Sequence, residues 1–265
     1  MNESFVDGFR HYQTFGNWFL NFHPLTKLNI LFSAGIVALV IRHWQVGLAV
    51  CVAICMLAVA AGKAKPYFKV FGPLVVVLGL FTMALRQVSV QGHTVLFRLF
   101  GVFNITQEAL MVGLTTALAV LGFSAGIVLF FVATPMRDLM LSLEKLGVSH
   151  TISYIILASF QTMKDLNKSM TAIMESQMAR GIETKGSIIV RLKAFFPILG
   201  PLVLGAISST EEKSIAMDAR AFSAKGAHTW LRELPPVPTA EKALNVVVGL
   251  GFIAAMVWRV SRLFV

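Results

Sequence analysis

The feature that most constrains this chain is a series of apolar runs long enough to cross a lipid bilayer. A spanning helix needs roughly 20 mostly apolar residues, because inside the bilayer no water satisfies a bare backbone. The first run extends from about Leu25 to Ile41 and ends at Arg42-His43. The second, Trp44 to Gly62, carries no charge, and Lys63, Lys65 and Lys69 follow it directly. A third runs from about Phe68 to Leu85, with Gly72-Pro73 in its opening turns, and a fourth from about Glu108 to Ala133, stopped by Thr134-Pro135. A last run, Ala243 to Val257, follows a stiff linker of Pro235, Pro236 and Pro238. The pattern predicts four transmembrane helices in the N-terminal half and one more near the C-terminus. Composition agrees: 56% of residues are hydrophobic and 14% charged, against about a quarter charged in soluble domains. Mean hydropathy is +0.75.

The formal net charge of +10 is a question of placement. Lys27 precedes the first run and three lysines fill the turn between the second and third, whereas the opposite side receives Arg42, Arg86 and Arg98. Lysine and arginine accumulate in cytoplasmic loops, so the N-terminus and everything after Pro135 are expected in the cytoplasm. The basic balance then belongs to a multi-pass protein of a cell membrane whose partner is the lipid bilayer, not nucleic acid. Arg259 and Arg262, beyond the last run, stand against the rule if the chain has five spans. The first 22 residues have no apolar core or small-residue cleavage site. The first membrane helix is therefore expected to act as a retained insertion signal.

Chemistry is sparse. No G-x-x-x-x-G-K-[ST] loop occurs, so the chain offers no phosphate cradle of its own. His11, His23, His43, His93, His150 and His228 are scattered without an i, i+4 pair, which argues against a metal site. Asp218-Ala219-Arg220 shares a fragment with an alcohol-phosphotransferase signature whose remaining aspartates and glycines are missing. Ion-coupled carriers place ionisable residues inside their spans, and these spans lack them. Cys51 and Cys55 share a helical face in an apolar run and read as packing. Gly122-x-x-x-Gly126 lets helices approach closely. No catalytic, cofactor-binding or metal-ligating residue is expected.

From Met136 to about Arg232 charges recur every few residues while apolar residues keep a helical period. Two apolar stretches interrupt this region, Ile152–Phe160 and Phe195–Ser208 with Pro197 and Pro201. Both are short for a span, so they read as helices on the cytoplasmic face or dipping shallowly. The organisation expected is residues 1–134 as a membrane region, 135–238 as a cytoplasmic region and 239–265 as a final membrane helix. Met163, Met170, Met174 and Met178 form a stripe on one helical face, suited either to helix packing or to an adaptable interface. The stripe leads into Ala179-Arg180-Gly181, and the pattern recurs at Ala219-Arg220-Ala221. Each time an arginine sits between two small residues at the end of an apolar-faced helix. Small neighbours expose its side chain, and its five-donor fork can hold a carboxylate with two hydrogen bonds.

With these motifs the sequence resembles the transmembrane T component (EcfT/CbiQ-like) of energy-coupling factor (ECF) ABC transporters, over most of the chain. A family element D-P-R-x-K-L before the first span corresponds to His23-Pro24-Leu25-Thr26-Lys27-Leu28, with Pro24, Lys27 and Leu28 in agreement. A P-x-x-L…L-x-x-L-G stretch appears as Pro135-x-x-x-Leu139 and Leu143-Glu144-Lys145-Leu146-Gly147, with slightly different spacing. The two X-R-X motifs are the most specific elements; the second usually ends in glycine, where this chain has Ala221. The resemblance implies an all-α integral membrane protein with about five transmembrane helices and a cytoplasmic coupling-helix region. It implies a scaffold without catalysis, joining two ABC ATPase subunits to a small membrane S component that binds a vitamin, another micronutrient or a metal ion. ATP and Mg would be bound in the partner ATPases, with Arg180 docking to one and Arg220 to the other. The spans and the methionine faces would meet the S component. The alternative reading of the residues is a self-sufficient small-solute membrane carrier.

Overall fold

The computed structural model describes residues 17–89, 94–99, 103–182, 187–222, 224 and 237–264. Arg232, the Pro235-Pro236 part of the linker, and His11, His93 and His228 lie outside the described residues. The protein is a helical integral membrane protein. In chain order its elements are α1 (Trp18–Asn21), α2 (Pro24–Ile41), α3 (Trp44–Ala60), α4 (Ala64–Ser89), β1 (Val95–Leu99), β2 (Phe103–Thr106), α5 (Gln107–Ala133), α6 (Met136–Lys145), α7 (His150–Ala179), α8 (Ile188–Ala219) and α9 (Thr239–Phe264). The antiparallel pair β1–β2, between α4 and α5, pairs Val95 with Thr106 and Leu99 with Phe103, with a bulge after Val95. The chain forms two compact units, Met1–Leu146 with Arg232–Val265, and Gly147–Leu231.

In the first unit α5 is central and packs on α2, α3 and α4. Lipid tails are as apolar as leucine, so these contacts rest on close backbone approach rather than on a hydrophobic force. Gly126 supplies one: a Cβ there would sit 2.8 Å from the Leu31 carbonyl oxygen of α2. Gly47 supplies another, since a Cβ on α3 would meet the Leu118 backbone of α5 at 2.9 Å. Gly122 and Gly126 are therefore packing residues, as their spacing predicts. Cys51 and Cys55 are free thiols, and Cys55 Sγ lies 3.8 Å from Tyr67 Oη across the α3–α4 contact.

These contacts fix helix directions. Leu31, Ile54, Tyr67 and Leu129 share one buried cluster with Phe19 of α1, so the start of α2, the end of α3, the start of α4 and the end of α5 lie together. The last helix joins the same end through polar bonds. His23 N donates to Glu241 Oε2 at 3.1 Å. Asn29 Nδ2 donates to Asn245 Oδ1 at 3.1 Å, and Asn245 Nδ2 to Thr26 Oγ1 at 2.9 Å. Thus α9 runs parallel to α2. Lys27, wholly buried, donates to the Leu20 carbonyl at 2.8 Å, in the field of the Asp138 and Glu241 carboxylates. His23 caps α2 by accepting from Leu25 N through Nδ1. Burial lowers its pKa from the ordinary 6.5, with Glu241 opposing, a shift in the direction that favours the accepting form.

Topology follows. The chain leaves this end at α6, beside Lys27, and returns to it at Glu241, so residues 147–231 make an even number of crossings. Five helices meet the length and hydropathy of a span: α2, α4, α5, α9 and Leu192–Ala219 within α8. The stretch Phe195–Ser208, expected to be short, is thus the middle of a 32-residue helix that continues through Pro197 and Pro201. Ile152–Phe160 is likewise only the opening of the 30-residue α7, which is too polar to qualify. A lone crossing by α8 breaks the parity. The uncharged α3, 17 residues or about 25 Å long, completes five spans instead.

Substituting Gly126 by Ala forces a Cβ against a backbone oxygen and is expected to destabilise the membrane unit by about 1–3 kcal/mol. Gly72→Ala, at a helical position with nothing within 4 Å, is the control, expected to be neutral or stabilising by up to about 1 kcal/mol. Thermal unfolding of the full chain in detergent, compared between the two variants, reads the difference.

Candidate functional site

The second unit is built from α7 and α8, which run antiparallel. At one end Phe222, just past α8, packs on His150 and Tyr154 at the start of α7, with ring centroids 5.4 and 4.8 Å apart. Midway, Lys213 Nζ lies 3.8 Å from Asp165 Oδ2, beside a cavity of about 310 Å³ between the helices. At the other end the Gln177 side chain, buried near the end of α7, donates to the Pro197 carbonyl at 3.2 Å. That bond repairs one of the two gaps that the prolines leave in α8. Pro201 has no N–H to give the carbonyl four residues back, which belongs to Pro197. Gln177 supplies the missing donor from the neighbouring helix.

Both X-R-X motifs are Schellman C-caps. In the first, Gly181 N–H donates to Met178 O at 3.0 Å and Ile182 N–H to Gln177 O at 3.1 Å. The second is the same: Ala221 N–H to Asp218 O at 3.0 Å and Phe222 N–H to Met217 O at 3.1 Å. Such a cap needs a left-handed residue after the last helical position. Gly181 takes it at φ 85°, and Ala221 at φ 55°. Alanine tolerates that region at a cost of about 1–2 kcal/mol. The first alanine of each motif ends its helix, and Arg180 and Arg220 are the C-cap residues, with both side chains exposed. The structure does not bring the two arginines together. Antiparallel packing puts them at opposite ends of the pair, separated by most of the length of α7, roughly 35–40 Å at about 1.5 Å per residue.

The methionine stripe is not core. Met163 and Met178 are exposed, and Met170 and Met174 half-buried. Met163 lines a groove on α7 with Tyr154, Ile155 and Leu166. The face of α8 is barer still: Phe196 is 75% exposed, and Leu204 and Ile215 each 70%. Sequence reasoning missed Gln177 and the start of α8, whereas the helix ends at Ala219 as the second arginine motif predicts. The P-x-x-x-P spacing at Pro197 and Pro201 was the available signal, since the second proline orphans the carbonyl of the first.

One unit of helices long and apolar enough to span a bilayer, and a second unit of two long helices each capped by an exposed arginine, define a multi-pass membrane protein. Residues 15–230 match the family model for CbiQ, described as cobalt transport protein. The chain belongs to this family and is an EcfT/CbiQ-like transmembrane component of the energy-coupling factor type. It is 30% identical to the energy-coupling factor transporter transmembrane protein EcfT of Bacillus subtilis, over 68% of this chain and 69% of that protein. The EcfT proteins of Limosilactobacillus fermentum and Acidaminococcus fermentans are 29% and 26% identical, the first over 78% and 79% of the two chains, the second over 80% and 81%.

Two variants test the caps by hydrogen exchange on the full chain. Ala221→Gly relieves the left-handed strain, and exchange of the Phe222 amide is expected to slow about fivefold, the equivalent of about 1 kcal/mol. Gln177→Leu leaves the Pro197 carbonyl without a donor, at a cost of about 1–3 kcal/mol. Faster exchange is expected there on both sides of Pro197, with the membrane unit unchanged.

Proposed function

We propose that this chain is the non-catalytic scaffold of an ECF-type importer, which couples ATP hydrolysis in two cytoplasmic ABC ATPases to reorientation of a substrate-binding S component. The observation that carries it is the pair of capped arginines at the two ends of one helix hairpin. Two docking points some tens of ångströms apart suit two ATPase subunits, one for each arginine, and each guanidinium is free to pair with a carboxylate in a partner groove. ATP and Mg belong to those ATPases. Their closing would push the hairpin ends together or apart, and the helices would carry the movement along their length. The even number of crossings supports having both arginines on one side of the membrane, which the lysine distribution assigns to the cytoplasm, together with the N-terminus.

The apolar face of α8 and the methionine face of α7 then serve the S component. An exposed apolar surface of this size outside a span demands a partner, and a membrane protein lying partly in the bilayer supplies one. The cargo, a vitamin, another micronutrient or a metal ion, would be chosen by that S component in a prokaryotic plasma membrane. A self-sufficient carrier needs polar groups free to hold solute. The main polar cluster described in the spans, around Asn29 and Asn245, spends its hydrogen bonds internally.

Affinity purification of the tagged chain from its native membrane is expected to bring down two ABC ATPases and one small membrane protein. Removing one arginine from a buried pair with a carboxylate costs about 2–5 kcal/mol of docking, so Arg180→Glu with Arg220→Glu is expected to abolish ATPase co-purification without affecting membrane insertion. Undiminished co-purification of the ATPases with the double variant would sink the assignment. Transport by the chain reconstituted alone would replace the scaffold with the carrier.

A further inference from the structure

The end of the membrane unit opposite His23 and Lys27 holds a cavity of about 410 Å³. Arg42 and Arg259 line it together with His43, Trp44, Met111 and Thr115. Four helices meet there. Arg42 ends α2, Trp44 begins α3, and Arg259 comes from α9, brought alongside because α9 runs parallel to α2. Met111 and Thr115 lie one turn apart near the start of α5.

Several features of this corner favour a bound anion. Two guanidiniums face one cavity, and among the described residues neither has a carboxylate partner. In the orientation proposed above, they lie on the side where cations are depleted in membrane proteins. Arg42 itself is in the left-handed region, at φ 51°. Glycine or asparagine would make that turn with less strain, yet the chain puts a guanidinium there. His43, the N-cap of α3, makes no side-chain cap bond, which leaves the opening amides of α3 without a side-chain acceptor. Arginine forks and helix-opening amides both select oxyanions, phosphates above all. The remaining lining is amphipathic. Trp44 is 45% exposed and Met111 54% exposed, a surface suited to the boundary between headgroups and acyl chains.

We propose that Arg42, Arg259 and Trp44 form a binding site for a phosphoryl oxyanion, occupied in the membrane by the headgroup of an anionic phospholipid. The phosphate would lie between the two guanidiniums, and an acyl chain would descend along Met111. Occupancy would tie the outer ends of α2, α3 and α9 together, at the end of the unit remote from the polar bonds of His23, Asn29 and Thr26.

Native mass spectrometry of the full chain, released from detergent, provides the test. The probes are phosphatidylglycerol, phosphatidylcholine and inorganic phosphate. The variant is Arg42→Asn with Arg259→Gln; asparagine suits the left-handed backbone, so the turn is preserved while both charges go. The wild type is expected to retain phosphatidylglycerol over phosphatidylcholine, and the double variant to bind phosphatidylglycerol at least about tenfold more weakly. Arg42→Lys with Arg259→Lys, which keeps the charge, is expected to fall between them. If that variant too loses all lipid while its thermal unfolding matches the wild type, bidentate recognition is the determinant and the proposal stands. Protection of the wild type by inorganic phosphate, without retained phosphatidylglycerol, would overturn the lipid as occupant in favour of a soluble anion. Equal retention of phosphatidylglycerol by the wild type and the Asn/Gln variant, or equal retention of the two lipids by the wild type, would overturn the proposal.

Discussion

In a bilayer, nothing pushes two apolar helices together the way water does, so α9 has to be held by something other than its apolar surface. What holds it is polar. Asn29, Asn245 and Thr26 exchange hydrogen bonds between α2 and α9, and the His23 amide is capped by Glu241, 218 positions away in the chain. Such groups are expensive in hydrocarbon unless paired, and here they pair with one another near the end of the span. The rest of the topology depends on this clasp. It makes α9 parallel to α2, returns the chain to the end from which α6 departs, and thereby fixes the parity of everything between.

Parity turns an apparent contradiction into information. By length and hydropathy alone α8 is as good a span as α2, whereas α3, at 17 residues, falls short. Yet α3 links two antiparallel neighbours and fits against the Leu118 backbone through Gly47. A crossing by α8 alone has nowhere to return. The apolar residues of α8 therefore serve another purpose. Its charged half, from Glu211 to Lys213, and its apolar half, around Leu204, lie on one continuous helix that Gln177 repairs where the prolines would interrupt it.

Much of this was legible in the sequence. The membrane helices follow from unbroken apolar runs whose boundaries are marked by Arg42, Lys63 and Pro135. The two arginine motifs were legible because Ala-Arg-Gly ends a helix by known backbone chemistry. Ala221 gave a weaker signal, since alanine rarely adopts φ 55°, and only the hydrogen bonds to Asp218 and Met217 show the same cap. Residues that act across long separations were not legible. Gln177 looks like one more polar position on α7 until Pro197 is beside it, and Glu241 looks like an ordinary first-turn carboxylate. The β1–β2 pair also escaped, because its strands are short and lie between two strong apolar runs. The extent of α8 was hidden by prolines that usually end helices.

The same logic separates the two ends of the molecule by the kind of bond each can use. At the His23 end, a carboxylate and side-chain amides within the chain bond most of the polar groups that join α9 to α2. At the arginine caps of α7 and α8 the side chains are exposed, with no acceptor among the described residues of their own unit. A helix that ends in a Schellman cap directs its last side chain away from its own carbonyls, because those carbonyls are already bonded to the backbone N–H groups that follow. Capping by the backbone is thus what releases Arg180 and Arg220 from a local role at the helix terminus. A helix ended without such a cap would draw its terminal cation back toward the exposed carbonyls. Backbone closure and an exposed guanidinium are therefore one feature, and it occurs twice because the hairpin has two ends at which force can enter.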